Sequence, residues 1–271
     1  MNGRKIDQFI RGVRLDRDKV ESFDKYPFSL RAVREMDRIV FHPNVTFIVG
    51  ENGSGKSTIL EAIATAYGFN PEGGTKNFNF STSDTHSCLY DFITVVKGAK
   101  MPKDGFFLRA ESFYNVATNI DELSKEIPGD FLKSYGGKLL HDVSHGESFF
   151  ALIMNKFGKN GLYILDEPEA ALSPIRQMSL ISRMDELVKG GSQFIIATHS
   201  PILMAYPKSF IYEIKENIER VSYEESENYN ITKDFLNNYK KMIPALFGRC
   251  RYNIFEASFW IKIIIYFSIF N

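Results

Sequence analysis

The sequence predicts an α/β protein with a mainly parallel central sheet, a small antiparallel β subdomain at the N-terminus and a small helical subdomain. Two patterns predict this fold class. Short apolar runs typical of buried strands alternate with segments of helical periodicity, and shorter strand candidates broken by charge precede the first of these runs. The composition agrees, because 44% apolar and 24% charged residues over 271 positions are typical of a folded globular chain rather than of a disordered or polytopic membrane protein.

The N-terminal β subdomain is predicted from three short segments. Residues 9–15, 26–30 and 39–42 contain strand-forming residues but are interrupted by charges and by Pro27 and Pro43. Runs this short are typical of a small antiparallel sheet rather than of the long buried strands of a parallel one.

The central layer begins with a strand, a turn and a helix. Residues 45–49 form a β-branched apolar run that ends at Gly50, a glycine-rich turn follows, and residues 57–66 are predicted as a helix.

The same alternation returns later in the chain. Residues 148–157 are predicted as a helix and residues 162–165 as a strand buried on both faces. Residues 175–188 carry apolar residues at helical spacing, and residues 194–197 form the next buried strand. The alternation of strands and helices predicts a parallel sheet.

Two regions depart from this alternation. Residues 68–105 are predicted as a polar, turn-rich surface insertion, in which residues 90–96 pair with residues 106–110 as a hairpin. One domain is expected over residues 1–238, followed by an atypical apolar tail over residues 239–271. The uninterrupted apolar run in this tail is shorter than the about 20 residues that span a bilayer, which favours an interface segment or an end not native to the fold over a membrane anchor. A core strand is a further alternative.

Charge and cysteine content exclude further classes. The 33 basic and 33 acidic residues leave no strongly positive background of the kind that many nucleic-acid binders have. Cys88 and Cys250 are too few for a disulfide framework and too far apart for a CxxC zinc site. Residues 1–17 are charged throughout and lack the apolar core of a signal peptide. A cytoplasmic protein is therefore expected.

Residues 50–57 match the pattern GxxxxGK[ST] between the first strand and its helix. Glycines let consecutive backbone N–H groups turn toward phosphate oxygens, and the helix N-terminus adds partial positive charge. Lys56 is expected to contact the β- and γ-phosphates, Ser57 to complete a Mg²⁺ shell, and Thr58 to contact phosphate more peripherally. The alternative is a glycine-rich turn before a capped helix. The predicted nucleotide-binding residues are Gly50, Glu51, Asn52, Gly53, Ser54, Gly55, Lys56, Ser57 and Thr58.

Two acids follow the buried strand at residues 162–165, at the carboxyl edge of the sheet where ligands of open α/β folds bind. Asp166 is predicted to hold Mg²⁺ through water, and Glu167 to orient and deprotonate the attacking water. The alternative is an ordinary acidic turn. His199 lies just beyond the next strand and is predicted to reach the same edge and contact the γ-phosphate, although a structural role is the alternative.

Residues 143–148 form a small-residue turn directly before an apolar helix. This turn is a second helix N-terminus without a phosphate group of its own. In a head-to-tail dimer, Ser144 and the neighbouring backbone amides are placed to face the γ-phosphate bound by the partner chain.

The order of these motifs resembles that of the ABC-type ATPases. Residues 50–58, 144–147 and 162–168 and His199 are similar to that family's Walker A, signature, Walker B and switch-histidine motifs. The resemblance covers residues 30–215. Within the family, the sequence is most similar to a small non-transporter branch of predicted bacterial ATPases, and to the heads of chromosome-maintenance, recombination-repair and overcoming-lysogenisation-defect ATPases.

The resemblance implies a P-loop NTPase fold that binds ATP and Mg²⁺. It also implies an ATP-dependent homodimer in which Ser144, Gly146 and Glu147 contact the partner's nucleotide. Glu167 and His199 are the implied catalytic residues.

The sequence departs from the family at three places. His145 stands where the signature has a glycine, and Ser173 stands where an aspartate follows the Walker B segment. There is no glutamine loop, and Glu111 occupies about its place. We carry the role of that glutamine over to Glu111. The predicted metal ligands are then Ser57, Asp166 and Glu111.

The function expected from these motifs is Mg²⁺-dependent ATP hydrolysis by a dimer, in DNA maintenance, repair or defence. One alternative is the ATP-binding subunit of an ABC transporter, although a membrane partner is less expected than DNA or a second protein. The other alternative is a clamp on DNA that ATP closes and hydrolysis resets.

Overall fold

The computed structural model describes residues 8–76, 87–126 and 131–247 and shows an α/β fold with two sheets. The strands are β1 (Ile10–Leu15), β2 (Arg38–Val40), β3 (Val45–Gly50), β4 (Ile93–Lys97), β5 (Asp104–Arg109), β6 (Gly161–Asp166), β7 (Gln193–Ala197), β8 (Phe210–Ile214) and β9 (Ile218–Val221). The α-helices are α1 (Arg31–Arg34), α2 (Lys56–Tyr67), α3 (Phe113–Glu126), α4 (His145–Lys156), α5 (Pro174–Lys189), α6 (Pro201–Met204) and α7 (Glu227–Leu246).

The central sheet has the strand order β5-β6-β7-β3-β8-β9. All neighbouring pairs are parallel except β8 and β9, which pair antiparallel. Every residue of β3, β6 and β7 is buried, as expected for strands covered on both faces. The prediction of a mainly parallel central sheet is confirmed.

The two faces of this sheet carry separate hydrophobic cores. Successive side chains of a strand point to opposite faces, so Phe47 packs into one core and Ile48 into the other. Tyr163 and Ile164 divide between the cores in the same way. One core contains apolar residues of α3, α4 and α5, and the other contains those of α2 and of the small sheet. The sheet is thus covered on both sides, and its carboxyl edge positions the site.

The small sheet is antiparallel with the strand order β2-β1-β4, which confirms the predicted N-terminal β subdomain. Its membership differs from the prediction. Residues 26–30 are a turn that leads into α1, not a strand. The apolar side chain of Phe28 that suggested a strand is buried beside the aromatic ring of Phe92 instead. Apolar content alone does not separate a packed turn from a short strand.

The predicted hairpin between residues 90–96 and 106–110 is wrong. β4 pairs with β1 in the small sheet, whereas β5 pairs parallel with β6 in the central sheet. Three consecutive residues of β5, Phe106 to Leu108, are buried, which suits a strand covered on both faces but not the edge of a surface hairpin.

The chain divides into two compact units, residues 1–228 and 229–271. The apolar tail singled out by the sequence lies mostly outside the described residues, which end at residue 247. No helix within the described part of the chain is both long enough and apolar enough to cross a bilayer.

Candidate active site

The loop between β3 and α2 is shaped by its glycines. Gly53 and Gly55 have φ angles of 76° and 99°, a left-handed conformation that glycine adopts without steric cost. A Cβ atom on Gly55 would lie 3.2 Å from the Cβ atoms of Leu30 and Ala32. The loop is therefore fixed both by backbone conformation and by close packing.

Lys56 lies at the centre of this loop and is 3% exposed. Its Nζ donates hydrogen bonds to the backbone oxygens of Gly50 and Glu51, each at 2.9 Å. Burial lowers the pKa of Lys56, and the carboxylates of Glu167 and Asp166 oppose this effect. The ammonium group thus faces the acidic residues predicted to share its site.

The loop and helix fit a phosphate-bearing ligand. The first N–H groups of any α-helix lack intrahelical acceptors, and here they follow a loop whose glycines turn the backbone inward. A Cβ atom on Gly53 would meet no atom within 4 Å, so the loop is open on that side. A lysine, backbone amides and an open cradle together form a donor set suited to phosphate oxygens.

Ser57 and Asp166 come together from α2 and β6. The Ser57 hydroxyl donates to Oδ1 of Asp166 at 3.0 Å, so the two oxygen ligands predicted for Mg²⁺ are adjacent. Burial raises the pKa of Asp166 to about 7, while Arg109 and the Ser57 hydroxyl act in the opposite direction. The hard oxygen ligands and the buried negative charge fit a divalent cation.

Arg109 is a site residue that sequence reasoning missed. Its Nη1 lies 2.7 Å from Oε2 of Glu61, and its Nε lies 3.6 Å from Oδ2 of Asp166. Arg109 is paired in register with Asp166 across β5 and β6, so a correct β5–β6 pairing would have revealed it. Glu111, the third predicted metal ligand, is 83% exposed and lies 3.7 Å from Nη2 of Arg109.

Glu167 has an unusual backbone conformation at the end of β6. Its φ of 49° and ψ of 51° are left-handed, which costs a residue with a Cβ atom about 1–2 kcal/mol. Its N–H donates to the backbone oxygen of Ala197 at 3.0 Å. Strain of this kind concentrates at functional sites, and here it turns the chain sharply after the strand.

His199 reaches the same edge, as predicted. Its Nε2 lies 3.4 Å from Oε1 of Glu167. Burial and the charge of Lys56 lower the pKa of His199, whereas Glu167 opposes them, so the neutral imidazole is favoured. The backbone N–H of His199 donates to Oε1 of Glu169, a half-buried acid that the sequence analysis did not single out.

The predicted trans-acting residues lie at the N-terminus of α4. Ser144 caps this helix: its N–H and its hydroxyl both donate to Oε2 of Glu147, at 3.1 Å and 2.8 Å. These hydrogen bonds lower the pKa of Glu147. Gly146 has no room for a side chain, because a Cβ atom would lie 2.6 Å from the backbone oxygen of Ala171. Within the described residues, the hydrogen bonds, ion pair and close packing of these three residues involve α4, α5 and the segment after β6 rather than the phosphate loop.

Two of the three departures from the family pattern, His145 and Ser173, have local structural roles. The ring of His145 packs edge-on against Phe113, with ring centroids 5.3 Å apart. Ser173 is the N-cap of α5 and accepts a hydrogen bond from the N–H of Arg176. Both residues stabilise helix starts near the site.

Comparisons with known proteins identify a family and several proteins to which the chain is similar. A family model described as AAA domain matches residues 21–259. The cytochrome c biogenesis ATP-binding export protein CcmA of Legionella pneumophila (strain Paris) is 26% identical over 176 residues, covering 62% of this chain and 86% of that protein. The ABC-type transporter ATP-binding protein EcsA of Bacillus subtilis (strain 168) is 25% identical, covering 58% of this chain and 67% of that protein. Among solved structures, the SMC head domain from Thermotoga maritima matches with a TM-score of 0.38 and 18% identity, covering 68% of this chain and 92% of that one.

The chain belongs to the AAA domain family, since that family's sequence model matches most of the chain. The predicted resemblance to ABC-type ATPases is confirmed.

Proposed function

We propose that this chain binds ATP with Mg²⁺ and hydrolyses its β–γ phosphoanhydride bond. The observation that carries the proposal is the meeting of Lys56, Ser57, Asp166, Glu167 and His199 at one edge of the central sheet. Distant parts of the sequence supply these groups, and an acidic turn or a glycine-rich loop alone does not explain their meeting. Membership in a family of ATPases supports the same chemistry.

The phosphate loop and Lys56 bind the triphosphate. Lys56 exchanges its hydrogen bonds to the loop carbonyls for phosphate oxygens, which are stronger, charged acceptors. Ser57 and Asp166 are the residues that would hold Mg²⁺, whose charge would offset the negative charge that builds up on the phosphates. We keep Glu111 as a more distant candidate ligand, since its side chain is largely exposed.

Glu167 orients the attacking water and accepts its proton. Its left-handed backbone aims the carboxylate away from the strand axis, close to the imidazole of His199. The neutral imidazole of His199 donates a hydrogen bond to the γ-phosphate and helps to hold the water and phosphate in line. A positioned general base contributes about 10²–10⁴-fold to such a step.

The direct test is Glu167→Gln, with Glu216→Gln as a matched control in the exposed turn between β8 and β9. Both variants exchange one carboxylate for an amide. Glu167→Gln is expected to bind ATP as the wild type does while phosphate release falls at least about 100-fold. Glu216→Gln is expected to match the wild type in both measurements. Full phosphate release by Glu167→Gln refutes the catalytic role.

We further propose that two copies of the chain assemble around ATP. Ser144 and the N-terminus of α4 are exposed, and Ile175 and Met178 of α5 are exposed apolar side chains at 73% and 54%. In a head-to-tail dimer, Ser144, Gly146 and Glu147 approach the nucleotide bound by the partner's phosphate loop.

Mixed dimers test this arrangement. A Lys56→Ala chain lacks the phosphate contact but keeps Ser144, and a Ser144→Arg chain has the opposite defect. Each is expected to be inactive alone. Their mixture contains one site with an intact Lys56 and an intact Ser144, so phosphate release is expected to return. A mixture of associated chains that stays inactive contradicts the shared site.

A second candidate function is the ATP-binding subunit of an ABC transporter, which the names of the relatives CcmA and EcsA favour. The sequence of the site motifs and the lack of a glutamine loop favour the non-transporter branch and a cytoplasmic ATPase. Purification of the chain from detergent-solubilised membranes separates the two. Stoichiometric recovery of an integral membrane protein supports the transporter subunit, and recovery of the chain without one supports the non-transporter ATPase.

A further inference from the structure

The peptide group of His199 is held at both ends. Its N–H donates to Oε1 of Glu169 at 2.5 Å, and its backbone oxygen accepts a hydrogen bond from Nδ2 of Asn228 at 3.3 Å. Glu169 belongs to the segment that follows β6, two residues after Glu167. The side chain of Glu169, close in sequence to Glu167, thus fixes the backbone of His199.

A second link joins the same two segments. The hydroxyl of Ser200 donates to Oε1 of Gln177 at 2.5 Å, and Nε2 of Gln177 donates to the backbone oxygen of Leu172 at 2.9 Å. Ser200 and Gln177 are 6% and 8% exposed, so water competes little for these hydrogen bonds. Gln177 therefore joins the residue after His199 to the end of the segment that begins at Glu167.

These links lie where backbone pairing ends. The N–H of Glu167 donates to the backbone oxygen of Ala197, which continues the pairing of β6 and β7 by one bond. Within the described parts of the chain, the bonds that join the two segments beyond this point are made by side chains. Without them, the positions of Glu167 and His199 relative to each other depend on two unpaired loops.

We propose that Glu169 and Gln177 are positioning residues that fix the position of His199 relative to Glu167 during ATP hydrolysis. This inference rests on the proposed function. Neither residue needs to touch the nucleotide, since their side chains hydrogen-bond to residues of these two segments: Glu169 bonds its own N–H, the Thr198 side chain and the His199 N–H, and Gln177 bonds Leu172 and Ser200. They replace the missing backbone pairing between the two segments.

Glu169 has an alternative role as a charge. Its carboxylate is among the groups that oppose the lowering of the pKa of Lys56. The change Glu169→Gln separates the two roles. A hydrogen-bond acceptor survives the change Glu169→Gln, which keeps Oε1, whereas a negative charge does not. Glu169→Met has similar length and removes both the acceptor and the charge.

The experiment measures ATP affinity by titration with a fluorescent ATP analogue and phosphate release under single-turnover conditions. Glu169→Met is expected to hydrolyse bound ATP at least about tenfold more slowly than the wild type while its ATP affinity changes less than about threefold. Glu169→Gln is expected to keep hydrolysis within about threefold of the wild type. Gln177→Met is expected to repeat the loss of hydrolysis at a second position, and it serves the test if Glu169→Met does not fold.

The outcomes are distinguishable. Equal losses in Glu169→Gln and Glu169→Met overturn positioning in favour of a charge. Wild-type hydrolysis in Glu169→Met and Gln177→Met overturns the inference and leaves the proposed function intact. A folded wild-type chain that neither binds nor hydrolyses ATP overturns the proposed function itself.

Discussion

Arg109 offers a quantitative test of the electrostatics beneath the site. Its side chain is 16% exposed, and its partners Glu61 and Asp166 are 10% and 5% exposed. The change Arg109→Met keeps most of the apolar stem but leaves two buried carboxylates without their cation. Breaking a buried ion pair from one side costs about 3–5 kcal/mol. We therefore expect the free energy of unfolding to fall by about 3 kcal/mol or more.

The assay is urea unfolding with EDTA present, which keeps divalent metal away from the carboxylates. Arg14→Met is the matched control, because Arg14 is 61% exposed and its ion pair with Asp16 is expected to contribute less than about 1 kcal/mol. A loss in Arg109→Met no larger than that in Arg14→Met refutes the assignment of Arg109 as the counter-charge.

The pH dependence has a definite sign. Burial raises the pKa of Asp166 to about 7, so the folded protein binds more protons than the unfolded chain between the ordinary carboxyl pKa and about 7. The free energy of unfolding therefore falls as the pH rises through that window, because the buried Asp166 must lose its proton. Removal of Arg109 raises the pKa of Asp166 further and extends the window upward. The destabilisation by Arg109→Met is expected to be larger at about pH 8 than at about pH 6, and a smaller one at the higher pH contradicts the reasoning.

Four further predictions test individual parts of the site, three by substitution and one by removal of metal. Lys56→Ala is expected to weaken ATP binding at least about tenfold in a fluorescence titration, because a charge-assisted phosphate contact is lost. Gly55→Ala is expected to lower the free energy of unfolding by more than about 1 kcal/mol, and Gly53→Ala by less than Gly55→Ala, because only the Cβ atom at position 55 meets neighbouring atoms; urea unfolding measures both. Ser144→Ala is expected to cost about 1 kcal/mol in the same assay through loss of the helix cap. EDTA is expected to abolish phosphate release, and turnover that persists without divalent metal contradicts the Mg²⁺ site.

Local sequence was sufficient for the elements that carry the site. The strand β3, its glycine turn and α2 are contiguous, so hydrophobic pattern and loop composition predicted them together. Asp166 and Glu167 directly follow a buried strand, and the rule that ligands gather at the carboxyl edge of parallel strands placed them correctly. His199 followed from the same rule.

Features that depend on distant partners were not predictable in this way. The pairing of β4 with β1 and of β5 with β6 joins segments far apart in sequence, and alternation within each strand does not name the partner. Arg109 was missed for this reason, since its role becomes visible only when β5 is placed beside β6. Glu169 looked like an ordinary acid in a turn, because its acceptor role needs the backbone of His199.

In the proposed dimer, a triphosphate bound by the phosphate loop of one chain also binds Ser144 and the N-terminus of α4 of a second chain. The most direct measurement is the molar mass of Glu167→Gln in solution by light scattering, with and without ATP and Mg²⁺. We predict a single-chain mass without nucleotide and a two-chain mass with both, because binding is retained and hydrolysis no longer releases the partner. A mass that stays at one chain under saturating ATP and Mg²⁺ contradicts this prediction.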